Sequence, residues 1–141
     1  MEIQCSYCGV HANALDHIRP VSYDHVDRKK VKYGKDLTIP VCNECNSTLQ
    51  SVWLLTISER AGYLIEKYNK KYKKILNQPD WEPWELEELG KNMLQIVTSN
   101  LNKKKLIIER LDFLMKVYSE PDLTPQDIWA KYPEDAYGKF R

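Results

Sequence analysis

Apolar and polar positions in the first third of the chain follow the pattern of short β-strands. Two apolar, β-prone runs cover residues 14–18 and 37–41, and a polar stretch separates them. Such runs on either side of a polar segment are typical of a β-hairpin. We therefore predict two strands, followed by a helix over residues 46–55. The apolar face of that helix is predicted to contain Leu49, Val52 and Trp53.

Beyond residue 56 the apolar positions recur every three or four residues, which is the period of an amphipathic helix. The pattern predicts one helix over residues 58–76, with Ser58 as its N-cap, and a break at residues 77–80. A second helix is predicted from about residue 80, a third over residues 101–118 and a short one over residues 125–131, capped by Thr124. The last ten residues are predicted to be loose. The large side chains predicted to face inward on the second and third helices are Trp84, Leu89, Met93, Ile96, Val97, Leu106, Ile107, Leu111, Leu114 and Met115.

Composition supports a division of the chain near residue 56. All four cysteines and all three histidines of the 141 residues precede this point, and the long helical patterns follow it. We predict an α+β protein with a metal-bound core at residues 1–56 and a mostly α-helical region at residues 57–141. The first residues lack the basic start and apolar run of a signal peptide, and no apolar stretch approaches the roughly 18 residues of a membrane span. These features predict a cytoplasmic protein without membrane contact.

The cysteines form two C-x-x-C pairs, Cys5 with Cys8 and Cys42 with Cys45. In a reducing compartment four cysteines are rarely joined in disulfides, and two such pairs are typical of a tetrahedral zinc site. A shell of four sulfurs leaves no open position on the ion. The predicted zinc is therefore structural, and any catalytic group must come from other residues.

The net charge of +1 conceals local imbalance along the helical region. Residues 60–74 and 103–105 are rich in lysine, whereas residues 80–88 are acidic. Each basic run fits either a solvated helix face or a surface that binds phosphate.

Three segments of the predicted core together resemble the HNH, or ββα-metal, nucleases. These are residues 5–9 (Cys-Ser-Tyr-Cys-Gly), residues 16–20 (Asp-His-Ile-Arg-Pro) and residues 37–46, which contain the second C-x-x-C pair followed by an asparagine. The resemblance covers roughly residues 4–55 and implies a zinc-stabilised ββα-metal core. It implies hydrolysis of phosphodiester bonds in DNA. The helical region lies outside the resemblance, and under the nuclease hypothesis it provides either DNA contact or the surface of a homodimer.

Carried over by position, the resemblance implies that His17 is the general base and that Asp16 and Asn46 bind a catalytic Mg²⁺ or Mn²⁺. Because neighbouring strand residues point to opposite faces, Asp16 and His17 are expected at a distorted strand end. The family also has an asparagine near the start of the second strand. This chain has Asp36 at the corresponding position, which departs from the family pattern.

Several alternatives stay open at this level. His25, beside Asp24, is a rival base that lacks the Ile-x-Pro continuation, and His11 fits a polar position in the first cysteine loop. Arg19 suits either a phosphate contact or the surface. Basic residues of the predicted hairpin loop suit contacts to a phosphate backbone: Arg28, Lys29, Lys30, Lys32 and Lys35. The tryptophans and tyrosines are assigned to packing. The second function class is an inactive zinc-binding module that binds nucleic acid or a protein.

Overall fold

Both predicted strands are present in the computed structural model, which describes residues 2–18, 37–50 and 52–140. Strand β1 covers Ala14–His17 and strand β2 covers Thr38–Val41. The two are antiparallel, with Ala14 opposite Val41 and His17 opposite Thr38. With the helices that follow, this two-stranded sheet makes the protein α+β, as predicted.

Helix α1, Asn43–Leu49, begins directly after β2 and is shorter than predicted. Cys42 is its N-cap, and the Cys42 sulfur accepts a hydrogen bond from the Cys45 amide at 3.4 Å. The prediction that the helix continues to residue 55 was wrong. The carbonyls of Val52 and Leu54 instead accept hydrogen bonds from Arg60, at 3.4 and 3.0 Å. Residues 52–55 are non-helical, and these contacts fix two of their carbonyls.

Helix α2, Ile57–Lys71, has Thr56 and not Ser58 as its N-cap, since the Thr56 side chain accepts from the Glu59 amide. Ser58 lies within the helix and donates to the Tyr118 carbonyl at 2.7 Å. After Tyr72 a short helix, α3, covers Lys73–Leu76, so the helical region ends where it was predicted to end.

The second and third predicted helices differ from the observed ones. Helix α4 covers only Pro83–Glu87, and helix α5 runs without interruption over Lys91–Tyr118. Gly90 is the N-cap of α5, and the helix itself contains neither glycine nor proline. Residues 98–100, which lie between the second and third predicted helices, include neither the glycine nor the proline that would favour a helix end.

Only one stripe of α5 is buried, namely Val97, Ile107, Leu114 and Val117. The helix as a whole packs mainly against α2 and α3. Because a helix that meets its neighbours on one side buries one face, several predicted inward side chains are instead exposed. Those between 52% and 61% exposed are Trp84, Met93, Ile96, Leu106 and Met115. Trp53, also assigned to packing, is 47% exposed.

Helix α6, Pro125–Trp129, is capped by Thr124 as predicted. The residues after it are not loose. Ala136–Phe140 form a 3₁₀ helix, and the rings of Tyr137 and Phe140 contact the Trp129 ring at centroid distances of 5.4 and 6.2 Å. Three aromatic residues therefore order the C-terminal segment.

One hydrophobic cluster contains residues from both sides of position 56. It joins the four cysteines and β2 to Leu64, Tyr68, Leu114 and Ile128 of the later helices. Of the helices that the structure describes, none combines the length and apolar character needed to cross a membrane.

Candidate metal centre and the adjoining strand

The first cysteine pair lies in a tight turn fixed to β2. Gly9 has a positive φ of 82°, and its amide donates to the Cys5 carbonyl at 3.0 Å. A side chain at position 9 would also collide with the Phe113 ring, so glycine suits both the backbone and the packing here. The amide and hydroxyl of Ser6 both donate to the Pro40 carbonyl, each at 2.8 Å. The turn thereby meets the strand that leads into the second pair.

The four cysteine sulfurs converge on one point. They lie within 4.8 Å of one another, and all four residues are buried. The sulfurs of Cys8 and Cys42 are 3.7 Å apart, too far for a disulfide. A tetrahedral zinc ion with Zn–S bonds of about 2.3 Å separates its sulfurs by about 3.8 Å. Four soft donors at this spacing can hold a metal ion such as zinc.

Helices α2 and α5 contribute polar groups around the sulfurs. The buried Tyr68 hydroxyl donates to the Cys45 sulfur at 3.0 Å, and burial raises the pKa of Tyr68, so this hydroxyl keeps its proton. Arg110 stacks on the Tyr68 ring at 4.9 Å and pairs with Glu44 at 2.8 Å. Although burial acts to lower it, the pKa of Arg110 is raised by the adjacent Cys8 and by Glu44. One hydroxyl and one fixed positive charge thus face a site that becomes anionic when its thiols ionise.

Hydrogen bonds within the cluster also separate the acidities of the thiols. Those with Cys45 and Cys5 lower the pKa of Cys42 to about 6, whereas the same network raises the pKa of Cys45. A bound cation would favour the thiolate form of all four.

Strand β1 carries Asp16 and His17 and is regular up to its last residue. Asp16 lies opposite Ile39 and His17 opposite Thr38, so the ladder has no bulge at this pair. The expected distortion of the strand end is therefore absent from β1. In a regular strand adjacent side chains leave on opposite faces. Accordingly Asp16 is 3% exposed, whereas His17 is half-buried.

Both oxygens of the buried Asp16 carboxylate already accept hydrogen bonds. Tyr7 donates its hydroxyl to Oδ2 at 2.6 Å, and Arg60 donates Nε to Oδ2 at 3.0 Å and Nη2 to Oδ1 at 2.7 Å. The Arg60 side chain is fully buried, so this is an ion pair removed from water. A metal ion at Asp16 would need an oxygen lone pair that faces away from these donors.

Burial lowers the pKa of His17, an effect that Asp16 opposes and Arg60 reinforces. Lowering the pKa favours the neutral imidazole, the form that can accept a proton.

Asn46 lies in helix α1, which packs against β1. It is half-buried and belongs to the first turns of the helix, four positions after the Cys42 cap. The contact between α1 and β1 brings the elements that carry His17 and Asn46 together. His11, in contrast, is exposed and pairs with Glu2 at 3.4 Å, in agreement with a polar position in the cysteine loop.

Arg19, Asp36, the Asp24–His25 pair and the basic residues of the hairpin loop lie outside the described residues.

Ion pairs neutralise part of the positive charge in the two lysine-rich runs. Lys70 pairs with Glu66, Lys71 with Glu44 and Lys104 with Asp80. The exposed lysines Lys67, Lys73 and Lys74 also lie on α2 and α3. These helices therefore present a basic surface interrupted by acidic partners.

The polar residues that sequence reasoning missed are Tyr7, Arg60, Tyr68 and Arg110. Arg60 had one visible signal, since it occupies the apolar helical spacing of Ile57, Ala61 and Leu64 and a charged residue there indicates a buried partner. Its side-chain partners Asp16 and Tyr7 lie 44 and 53 positions away, and no local pattern reveals such distant partners.

Comparisons of the chain with protein-family models, with curated proteins and with solved structures found no match.

Proposed function

We propose that this protein is a divalent-metal-dependent HNH-type endonuclease that hydrolyses phosphodiester bonds of DNA. The observation that carries the proposal is the arrangement of β1, β2 and α1 around the four cysteines. In this arrangement His17 ends the first strand, and Asn46 lies on the helix that packs against that strand. The zinc-stabilised ββα core is part of the proposal, with zinc at the four sulfurs as its scaffold.

His17 is the proposed general base. Its neutral imidazole accepts a proton from water as the water oxygen forms a bond to phosphorus and the bond from phosphorus to the leaving oxygen breaks. Burial supports this role because it lowers the pKa of His17. The Asn46 side chain offers an amide oxygen to a Mg²⁺ or Mn²⁺ ion, which when bound compensates charge on the phosphate and leaving oxygens. The resemblance implies that Asp16 is also a ligand of this ion.

DNA is the proposed substrate, and the basic surface of α2 and α3 supports this choice. Lys67, Lys73 and Lys74 suit contacts to a phosphate backbone, which do not depend on base sequence. A homodimer formed through the helical region is a further part of the proposal.

A second candidate function, a zinc-binding module without catalysis, is favoured by one observation. The Asp16 carboxylate is buried and already accepts hydrogen bonds from Arg60 and Tyr7. If the protein depended on Asp16 as an accessible metal ligand, this pairing would oppose activity.

Plasmid cleavage in Mg²⁺ or Mn²⁺ tests the two candidates. The wild-type protein should cut, and His17→Ala should reduce the rate by at least about 100-fold, the lower range for loss of a general base. Asn46→Ala, which removes a proposed metal ligand, should also reduce the rate. His11→Ala is the matched control, because His11 is exposed and lies in the cysteine loop. Equal cutting by wild type and His17→Ala would refute the proposed base, and DNA binding without cutting would favour the second candidate.

A further inference from the structure

Arg60 lies at a junction of four parts of the chain. Its guanidinium donates Nε to the Tyr7 hydroxyl at 3.0 Å, pairs with Asp16 of β1 and donates Nη1 to the Ile18 carbonyl at 3.3 Å. The same Nη1 reaches Val52 and Leu54, in the segment between α1 and α2. Through one side chain, α2 is thus joined to the first cysteine turn, to the end of β1 and to the segment after α1.

The pair between Arg60 and Asp16 fixes the orientation of the Asp16 carboxylate as well as its position. An arginine and a carboxylate with two parallel hydrogen bonds form a planar pair of defined geometry. Both side chains are buried, so removing either one would leave the other charge in the interior without a partner and without water to solvate it. The Asp16 side chain is therefore held toward the interior, and the alternation of the strand directs its neighbour His17 to the opposite face.

We propose that Tyr7, Asp16 and Arg60 form a buried clamp that positions His17 for catalysis, with Asp16 as a positioning residue and not a ligand of the catalytic metal. This inference rests on the proposed nuclease function and changes its assignment of Asp16. Two observations carry it: the carboxylate is occupied by its donors, and β1 is regular through His17. While that strand stays regular, Asp16 and His17 cannot both face one bound ion.

The dependence of cleavage on Mg²⁺ concentration separates a positioning role from a ligand role. Asp16→Asn, Arg60→Lys and Tyr7→Phe should each lower kcat at saturating Mg²⁺, by up to about 100-fold for a base displaced by about 1 Å. The Mg²⁺ concentration that gives half-maximal rate should stay within about twofold of the wild-type value. Asn46→Ala, which removes a proposed ligand, should raise that concentration. Tyr63→Phe, on α2 but outside the clamp, is the matched control and should behave as wild type.

Tyr7→Phe is the variant least expected to lose the fold, because it removes one hydroxyl and keeps the buried ring. If Asp16→Asn raises the half-maximal Mg²⁺ concentration about tenfold or more while Arg60→Lys and Tyr7→Phe leave it unchanged, Asp16 is a metal ligand and the inference is overturned.

Amide hydrogen exchange provides a readout that does not require cleavage. In the wild-type protein the Ile18 amide donates to the Leu37 carbonyl at 2.9 Å. Arg60→Lys should speed exchange at this amide by about tenfold or more and leave Ile107 and Leu114 of α5 protected. Unchanged exchange at residues 16–18 overturns the clamp even if the wild-type protein cuts DNA. Failure of the wild-type protein to cut under any divalent ion overturns the proposed function and the catalytic role of the clamp, whatever the exchange result.

Discussion

At the scale of single residues, the four-cysteine cluster is surrounded by polar groups from other elements. Tyr68 donates to the Cys45 sulfur, and Arg110 places a positive charge beside Cys8. Hydrogen bonds and charges of this kind orient the ligands and reduce the cost of gathering several thiolates in a buried site.

Replacing Tyr68 tests that contribution. Tyr68→Phe removes the hydrogen bond to Cys45 and leaves the ring that stacks under Arg110. We expect zinc affinity to fall about 10-fold, within the range found for groups around a metal site. Competition with a chelator of known zinc affinity measures the change, and Tyr63→Phe on the same helix is the control. An affinity equal to that of the wild-type protein would show that the hydroxyl has no effect on the metal.

The sequence predicted the residues whose chemistry is local. The spacing of the cysteines indicated a metal site because each C-x-x-C forms its own turn, and the four sulfurs do converge. The environment of Asp16 could not be predicted in the same way. Its partners Tyr7 and Arg60 belong to other elements, and only the folded chain shows that this carboxylate is paired and buried.

At the scale of elements, the strands were easier to predict than helix burial. The two strands were predicted to within one residue, since a hairpin is a local structure. The faces of α5 were harder, because a continuous helix of 28 residues presents several apolar stripes and the neighbouring elements decide which one is buried. The side chains of α5 therefore divide into those that neighbouring elements bury and those that face solvent.

This division predicts unequal effects of the same substitution on α5. Leu114 is fully buried against the core, so Leu114→Ala should lower the free energy of unfolding by about 2–5 kcal/mol. Leu106 is 58% exposed, and Leu106→Ala should change the free energy of unfolding by no more than about 0.5 kcal/mol. Urea unfolding of the two variants measures both values. Comparable losses would mean that Leu106 is covered in solution, as in a dimer through α5.

At the scale of the whole molecule, the four-cysteine cluster is part of the hydrophobic core. The cysteines share one cluster with Leu64 and Leu114, although the composition had suggested a division of the chain near residue 56. Composition records where residue types lie along the chain, whereas the core depends on which side chains pack together. The helical region is thus attached to the cysteine site by apolar contacts as well as by Tyr68.

Removal of the metal should therefore weaken the whole fold. We expect one zinc ion per chain, and zinc at about a thousand times its Kd should add about 4 kcal/mol to the free energy of unfolding. Chelation should lower the melting temperature of α5 together with that of the cysteine region, and Cys42→Ser should act in the same direction. Circular dichroism, which reports mainly on the helices, is the measurement. A melting curve identical with and without chelator would contradict this expectation.

The contact between Trp129 and β2 affects how readily β2 can pair with strands of other molecules. A sheet of two strands consists only of edge strands, and exposed edges invite pairing with strands of other molecules. Helix α6 packs on β2, and the Trp129 indole donates to the Thr38 carbonyl at 2.8 Å. The C-terminal segment thus occupies a backbone acceptor that an approaching strand could use. Because this acceptor on the edge of β2 is already used, we expect pairing of β2 with strands of other molecules to be disfavoured.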